Sequence, residues 1–184
     1  MPDMTAVDTP ELVVLLDDEG RTIGSAPKAD VHHTATPLHL AFSCYLFDDA
    51  GSVLLTRRAL HKKTFPGIWT NSCCGHPAPG EAVADAVTRR VREELGVEIT
   101  DLRCLLPDFR YVAIAADGVV ENEVCPVFSA RAVGPVRADR DEIMDYTWVP
   151  WQQLRAAAEF GWAISPWAAE QVPLLDAEGV GHRS

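Results

Sequence analysis

GHPAPGEAVADAVTRRVREELGV, residues 75–97, runs from a proline-rich loop into a helix and out of it again. Val83, Val87, Val91 and Leu95 recur at every fourth position, the repeat of one helical face, and Gly96 is a residue type suited to end a helix. A helix over Glu81–Leu95 is therefore expected. At about 100° per residue the four apolar side chains form one stripe, with Glu94 inside it and Arg90 at its margin. A carboxylate facing a core is costly unless it is paired or bound to a cation. Two explanations stand: an i,i+4 ion pair between Arg90 and Glu94 at a buried edge, or a functional carboxylate aimed into a site.

Outward from this helix the chain reads as strands and turns. Upstream, Glu11–Asp17 and Arg21–Gly24 make a hairpin around Asp18-Glu19-Gly20, and Leu38–Phe47 and Ser52–Arg58 make a second around Asp48-Asp49-Ala50-Gly51. Residues 59–80 carry Pro66-Gly67, Pro77 and Pro79-Gly80 without a long periodic pattern. A long loop is expected there, a kind of connection that tends to carry function. Downstream, strands at about 101–115 and 119–130 are joined by an Asp117-Gly118 turn, and another strand lies near Ile143–Pro150. Gln152–Glu159 and Trp167–Val172 read as helices. Several antiparallel strands with few helices predict an α+β domain. Residues 1–10 read as a flexible leader, 11–178 as one domain and 179–184 as a frayed tail.

The 184 residues are 47% hydrophobic and 23% charged, which suits one domain with an ample core and excludes disordered, collagen-like and disulfide-scaffold classes. Asp and Glu number 27 and Lys and Arg 16, a formal net charge of -11. Nucleic acid and anionic membranes are poor partners for such a chain, although a small anion in a local basic pocket is not. No apolar run approaches the ~20 residues of a spanning helix. The N-terminus, MPDMTAVDTPE, is acidic and lacks the basic region of a signal peptide. Five cysteines (44, 73, 74, 104 and 125), an odd number without a spaced CxxC pair, fit reduced thiols in a cytoplasm.

Five of the six histidines lie between residues 32 and 76. His32 and His39 are seven apart, and His76 follows Cys74-Gly75. Glu121 and Glu123 alternate along a strand, so both emerge on one face about 7 Å apart. Two carboxylates that close need a cation, or one must hold a proton. Three imidazoles and two carboxylates suit Mn²⁺, Mg²⁺ or Zn²⁺; the plain alternative is a scatter of polar surface residues. Arg57, Arg58, Lys62 and Lys63 place four of sixteen cations within seven residues, either as a solvated face or as a grip on an anion.

The spacing of Gly75, Glu81, Arg89, Val91, Glu93-Glu94, Leu95, Gly96 and Val97 resembles the Nudix box, a loop–helix–loop signature of 23 residues. One position departs: Arg90 stands where the family has a glutamate of its metal-binding set, which trades a divalent-cation ligand for an anion clamp. Thr70-Asn71-Ser72-Cys73-Cys74-Gly75-His76-Pro77 resembles the TNSxCGHP segment of type 1 isopentenyl-diphosphate isomerases. Tyr111 followed by Val120-Glu121-Asn122-Glu123-Val124 resembles that family's Y…ENE segment. TRRALHKKTFPGIW over Thr56–Trp69 and Ser165-Pro166-Trp167 match as well, so the similarity spans about residues 11–170.

That resemblance implies a Nudix-type fold, with antiparallel and mixed sheets packed against a few helices. It implies an isomerase of isoprenoid biosynthesis that interconverts isopentenyl and dimethylallyl diphosphate. A first metal would sit on His32, His39, His76, Glu121 and Glu123, and a Mg²⁺ near Glu94 would bridge to the diphosphate. Cys74 and Glu123 would be the catalytic pair, with Tyr111 assisting. Lys28, Arg58, Lys62 and Arg90 would hold the diphosphate, leaving Arg57 and Lys63 as the solvated cations, and Trp167 would face the hydrocarbon. His32, rather than His33, has the family spacing to His39, and Cys74, rather than Cys73, directly precedes Gly-His, so Cys73 is expected to pack. The partner is a small-molecule diphosphate, and the protein a monomer or homodimer. Two activities compete with this one: Nudix hydrolysis of a nucleoside diphosphate derivative, against which Arg90 argues, and a non-catalytic module stabilised by a structural Zn²⁺.

Overall fold

The computed structural model of the chain describes residues 10–181. Strands β1 (Leu12–Leu16) and β2 (Thr22–Pro27) lead into a one-turn helix, α1 (Lys28–Val31). Then come β3 (His39–Leu40), β4 (Phe42–Phe47) and β5 (Val53–Arg58), followed by two short strands, β6 (Trp69–Thr70) and β7 (Cys73–Gly75). After α2 (Val83–Leu95) come β8 (Glu98–Leu106), β9 (Arg110–Ile114), β10 (Val120–Val124), β11 (Val127–Val133) and β12 (Ile143–Val149). Helices α3 (Trp151–Glu159) and α4 (Pro166–Ala177) complete the order.

The strands form two sheets, one in the order β2-β1-β3-β10-β9 and one in the order β12-β5-β4-β11-β8, with β6 on β5 and β7 on β4. Three of the strands expected to be continuous are in fact pairs that change sheet. Leu38–Phe47 divides at Ala41 into β3 and β4, residues 101–115 divide at 107–109 into β8 and β9, and 119–130 divide at Cys125-Pro126 into β10 and β11. The backbone groups at these crossings satisfy one another. Ala41 N–H donates to the Val124 carbonyl at 2.9 Å, Ser43 N–H to the Pro126 carbonyl at 3.1 Å and Cys125 N–H to the Phe109 carbonyl at 2.8 Å. Pro126 has no N–H to give a ladder, which makes it a natural break. The crossings form a seam between the sheets, and the candidate site lies along it.

Helix α2 begins two residues later than its apolar repeat suggested, because Glu81 is engaged in the loop: its carboxylate accepts from Ala78 N–H and from the Arg89 guanidinium, each at 2.8 Å. It ends at Gly96, whose φ of 64° is left-handed and whose N–H closes on the Arg92 carbonyl at 3.0 Å. Val87, Val91 and Leu95 are buried against β4, β5 and β11, with Phe42, Leu54 and Phe128. Burial of each such side chain contributes about 1.5–3 kcal/mol. A second core, between the sheets and under α3 and α4, gathers Tyr45, Trp151, Leu154, Trp167, Val172 and Leu175. Helix α4 runs to Ala177, past the expected end at Val172, and carries Pro173 inside it. Packing of Leu175 in the core outweighs the one backbone bond that proline cannot make.

Of the expected leader, residues 1–9 lie outside the described residues, as do 182–184 of the expected tail. Val180 packs against the core. Among the described residues no helix is long and apolar enough to cross a membrane.

Candidate active site

Strand register sets the first half of the site. Glu123 pairs with Tyr111 on one side and with His39 on the other, so phenol, carboxylate and imidazole form one row across β9, β10 and β3. His32 at the end of α1 and His76 just after β7 complete the group, with ring centroids 5.0 Å (His32–His39), 5.6 Å (His32–His76) and 5.2 Å (His39–His76) apart. One ligand atom from each of His32, His39, His76 and Glu123 lies within 4.8 Å of the others. His39 Nδ1 is 2.9 Å from the Pro37 carbonyl, a contact that assigns its proton there and leaves Nε2 as a lone pair. His32 Nε2, His39 Nε2 and His76 Nδ1 are buried without a hydrogen-bond partner. Burial and the neighbouring His76 and His39 push His32 down to about 3, so it is neutral, as a metal ligand must be. Three imidazoles, one carboxylate and orphaned ring nitrogens fit a divalent cation.

Glu121 stands beside this group but outside the four atoms that converge. Tyr111 Oη is 2.5 Å from Glu121 Oε2 and 2.8 Å from Glu123 Oε2. A phenol has one proton and can serve only one of them, so the other contact needs a proton on the carboxyl itself. Burial and the Glu123 charge raise Glu121, whereas burial of Glu123 is outweighed by the adjoining His39 and His76 imidazoles, the latter 3.2 Å away, which hold it well below the usual carboxylate range. Glu121 is thus the carboxyl suited to carry the proton, and Glu123 the anion.

The second half of the site comes from the 59–80 segment, where β6 and β7 were not foreseen. Cys74, on β7, has its Sγ 3.2 Å from Asn71 Oδ1 and 3.6 Å from Ser43 Oγ. Burial, opposed by the Ser43 bond, pushes the thiol up to about 12, so Cys74 rests as a protonated acid. Asn71 Oδ1 also accepts from Trp167 Nε1 at 3.0 Å, and so fixes thiol and indole together. Ser165-Pro166 places that tryptophan: Ser165 caps α4 by accepting from Ala168 N–H at 3.3 Å, Pro166 occupies the first turn, and Trp167 follows it. Trp167 lies 5.7 Å from the Tyr111 ring and 5.4 Å from Phe65, centroid to centroid. Cys73 is buried in the core beneath α2, the packing role expected of it.

Cys74, Glu123, Tyr111 and Trp167 all line one cavity of about 410 Å³. The same cavity is lined by all four expected diphosphate ligands. Lys28 is paired with Glu11 at 3.0 Å, and Arg58 donates Nη2 to the Thr64 carbonyl at 2.9 Å with its guanidinium 5.7 Å from the Trp167 centroid. Lys62 pairs with Glu142, and Arg90 with Glu94 and, at 3.1 Å, with Glu93. Arg90 and Glu94 form the i,i+4 pair that their spacing allowed, and both also face the cavity. Lys63, expected in solvent, also lines the wall and donates to the Ala29 carbonyl at 2.7 Å, tying the 59–68 loop to α1. Sequence reading missed Glu142, which nothing in its surroundings marks. It also missed Gln171 and Ser43, of which only Ser43 carried a signal, as the polar residue in the otherwise apolar run 40–47.

A family model described as the NUDIX domain matches residues 37–170. The isopentenyl-diphosphate Delta-isomerase of Mycolicibacterium vanbaalenii is 83% identical over 180 residues, covering 98% of this chain and 99% of that protein. The protein of the same name from Frankia alni is 59% identical, covering 91% and 87%. Among solved structures, DR0079 of Deinococcus radiodurans superposes with a TM-score of 0.69 over 89% of this chain and 98% of its own at 21% identity. A MutT protein from Methanosarcina mazei gives 0.61 over 78% and 96% at 20% identity; both are likenesses of fold. The chain belongs to the isopentenyl-diphosphate Delta-isomerase family of NUDIX-domain proteins.

Proposed function

We propose that this protein interconverts isopentenyl diphosphate and dimethylallyl diphosphate. The observation that carries this is the single cavity in which Cys74 and Glu123 meet an aromatic wall and a cationic end. The reaction moves a double bond by adding a proton at the terminal alkene carbon and removing one from C2. An alkene is a very weak base, and its protonation gives tertiary-carbocation character. Cys74 from β7 and Glu123 from β10 supply acid and base from separate elements. Tyr111, bonded to Glu123, holds that carboxylate in place. The Trp167 face, fixed by Asn71, stabilises the developing positive carbon by about 2 kcal/mol in a dry site. Lys28, Arg58, Lys62 and Arg90 grip the diphosphate, and that remote binding orients and desolvates the alkene.

His32, His39, His76 and Glu123, with Glu121 adjoining, would hold Mn²⁺, Zn²⁺ or Mg²⁺, and Glu94, at the cationic end of the cavity, would be the carboxylate for a Mg²⁺ that accompanies the diphosphate. A bound cation supplies fixed positive charge beside Glu123. The five free thiols suit a reducing cytoplasm, and a free small molecule rather than nucleic acid or membrane is the partner. The test is incubation with isopentenyl diphosphate and Mn²⁺ or Mg²⁺, followed by NMR. Appearance of dimethylallyl diphosphate without phosphate release is expected. Phosphate release from nucleoside diphosphate derivatives without isomerisation would overturn this function.

A further inference from the structure

Behind Cys74 lies a chain of buried polar groups to which no role has been given. Ser43, Tyr45 and Gln171 are fully buried, and none of them lines the cavity. Ser43 is the residue directly opposite Cys74 in the β4–β7 pairing. Its Oγ lies 3.6 Å from Cys74 Sγ and 3.4 Å from Cys125 Sγ. Gln171 on α4 donates from Nε2 to Ser43 Oγ at 3.0 Å, and Tyr45 donates its hydroxyl to Gln171 Oε1 at 2.8 Å. With the tyrosine hydroxyl donating to the amide oxygen, the amide nitrogen faces Ser43. One lone pair of the serine is therefore taken, and its own proton points to a sulfur. The Tyr45 ring packs in the core, but its hydroxyl, the Gln171 amide and the Ser43 hydroxyl are costly to bury, so packing alone does not explain them.

We propose that Ser43, locked by Gln171 and Tyr45, is a positioning residue for Cys74 that holds Sγ at the cavity wall throughout the catalytic cycle. A hydroxyl can face a sulfur as acceptor or as donor, whereas Asn71 Oδ1, the other neighbour of the thiol, can only accept. Cys125 gives the serine proton a second resting place when Cys74 does not need it. This role rests on the isomerase function above and assigns the part of the site that the substrate never touches.

The test compares metal-loaded Ser43→Ala and Ser43→Thr with the wild type, using isopentenyl diphosphate. Ser43→Ala is expected to lower kcat about 10-fold or more with KM within about twofold, and Ser43→Thr to recover most of the loss. A readout independent of turnover is the infrared S–H stretching band of Cys74, identified as the band missing from Cys74→Ala. It is expected to shift in Ser43→Ala and to stay in place in Ser43→Thr. An unchanged kcat, an unmoved band, or equal losses in folded Ser43→Ala and Ser43→Thr would each overturn the role. Should Ser43→Ala fail to fold, Gln171→Met leaves the serine but frees its hydroxyl; a fall in kcat supports the role and an unchanged kcat overturns it. If the wild type makes no dimethylallyl diphosphate, the enzymatic function fails, yet the band still decides whether Ser43 holds Cys74.

Discussion

Replacing Arg90 by methionine (Arg90→Met) probes the residue at which this chain departs from the usual box. The side chains of Arg90 and Glu94 are only 10% and 8% exposed, and they are paired. Removing the cation leaves a carboxylate buried beside the Cys73 sulfur, 3.8 Å away. Breaking a buried pair from one side costs roughly 3–5 kcal/mol, because the remaining charge stays desolvated. Lys62 also faces Glu94 and offsets part of this, which places the expectation near the low end, about 3 kcal/mol. In a domain of this size that corresponds to a fall in Tm of about 6–12 °C. Urea unfolding at neutral pH should show a lower midpoint with an unchanged slope. Adding Glu94→Gln to Arg90→Met should restore about 1–3 kcal/mol, since the orphaned charge is then gone. A loss below about 1 kcal/mol, or a double variant no more stable than the single, would refute the claim that this pair is a buried, mutually dependent unit.

Lys62 is held down to about 8 by burial and by neighbouring cations such as Arg58, against 10.5 for a free lysine. The unfolded chain therefore binds more protons there between these values, so the lysine's penalty on stability is full below about 8 and fades as pH rises. Activity runs the other way: kcat/KM should fall through about pH 8 as the clamp loses its charge, and Lys62→Arg should move that limb upward. A profile unchanged by Lys62→Arg would contradict this. Metal binding should stabilise the fold, by about 2.7 kcal/mol at a hundredfold excess over Kd, and His39→Gln should abolish the gain; calorimetry with and without chelator decides. Gly75→Ala places a methyl 2.9 Å from the Phe42 ring and 3.0 Å from Arg90 Cγ, and should cost about 1–3 kcal/mol in urea unfolding, with a neutral result showing that the two side chains can yield.

How much was legible follows from how local each determinant is. Helix α2 was readable because four apolar residues repeat on one face and Gly96 stops them, all within one segment. Its start was not, since Glu81 is drawn off by Arg89 and Ala78. The sheet changes at Ala41 and Cys125-Pro126 were illegible because the bonds from Ala41 to Val124 and from Ser43 to Pro126 join segments more than 80 residues apart. Pro126 was the one local clue. Cys74, Glu123, His39 and His76 were legible as motif residues, but their convergence is a property of register. Glu123 reaches His39 only because β10 runs parallel to β3 at that offset. Glu121 illustrates the limit: spacing placed it with Glu123 on one face, while the fold gives its carboxyl to Tyr111. Ser43 and Gln171 are polar residues whose partners lie 128 positions apart, beyond any sequence window.

The most direct test of the central claim, that Cys74 and Glu123 act on opposite protons of one substrate, is exchange in D₂O followed by NMR. The wild type should place deuterium at both the terminal carbon and C2 of the recovered diphosphates, while folded, metal-retaining Cys74→Ala and Glu123→Gln should each place it at neither. Deuterium at both carbons in either variant, at rates near the wild type, would contradict the account.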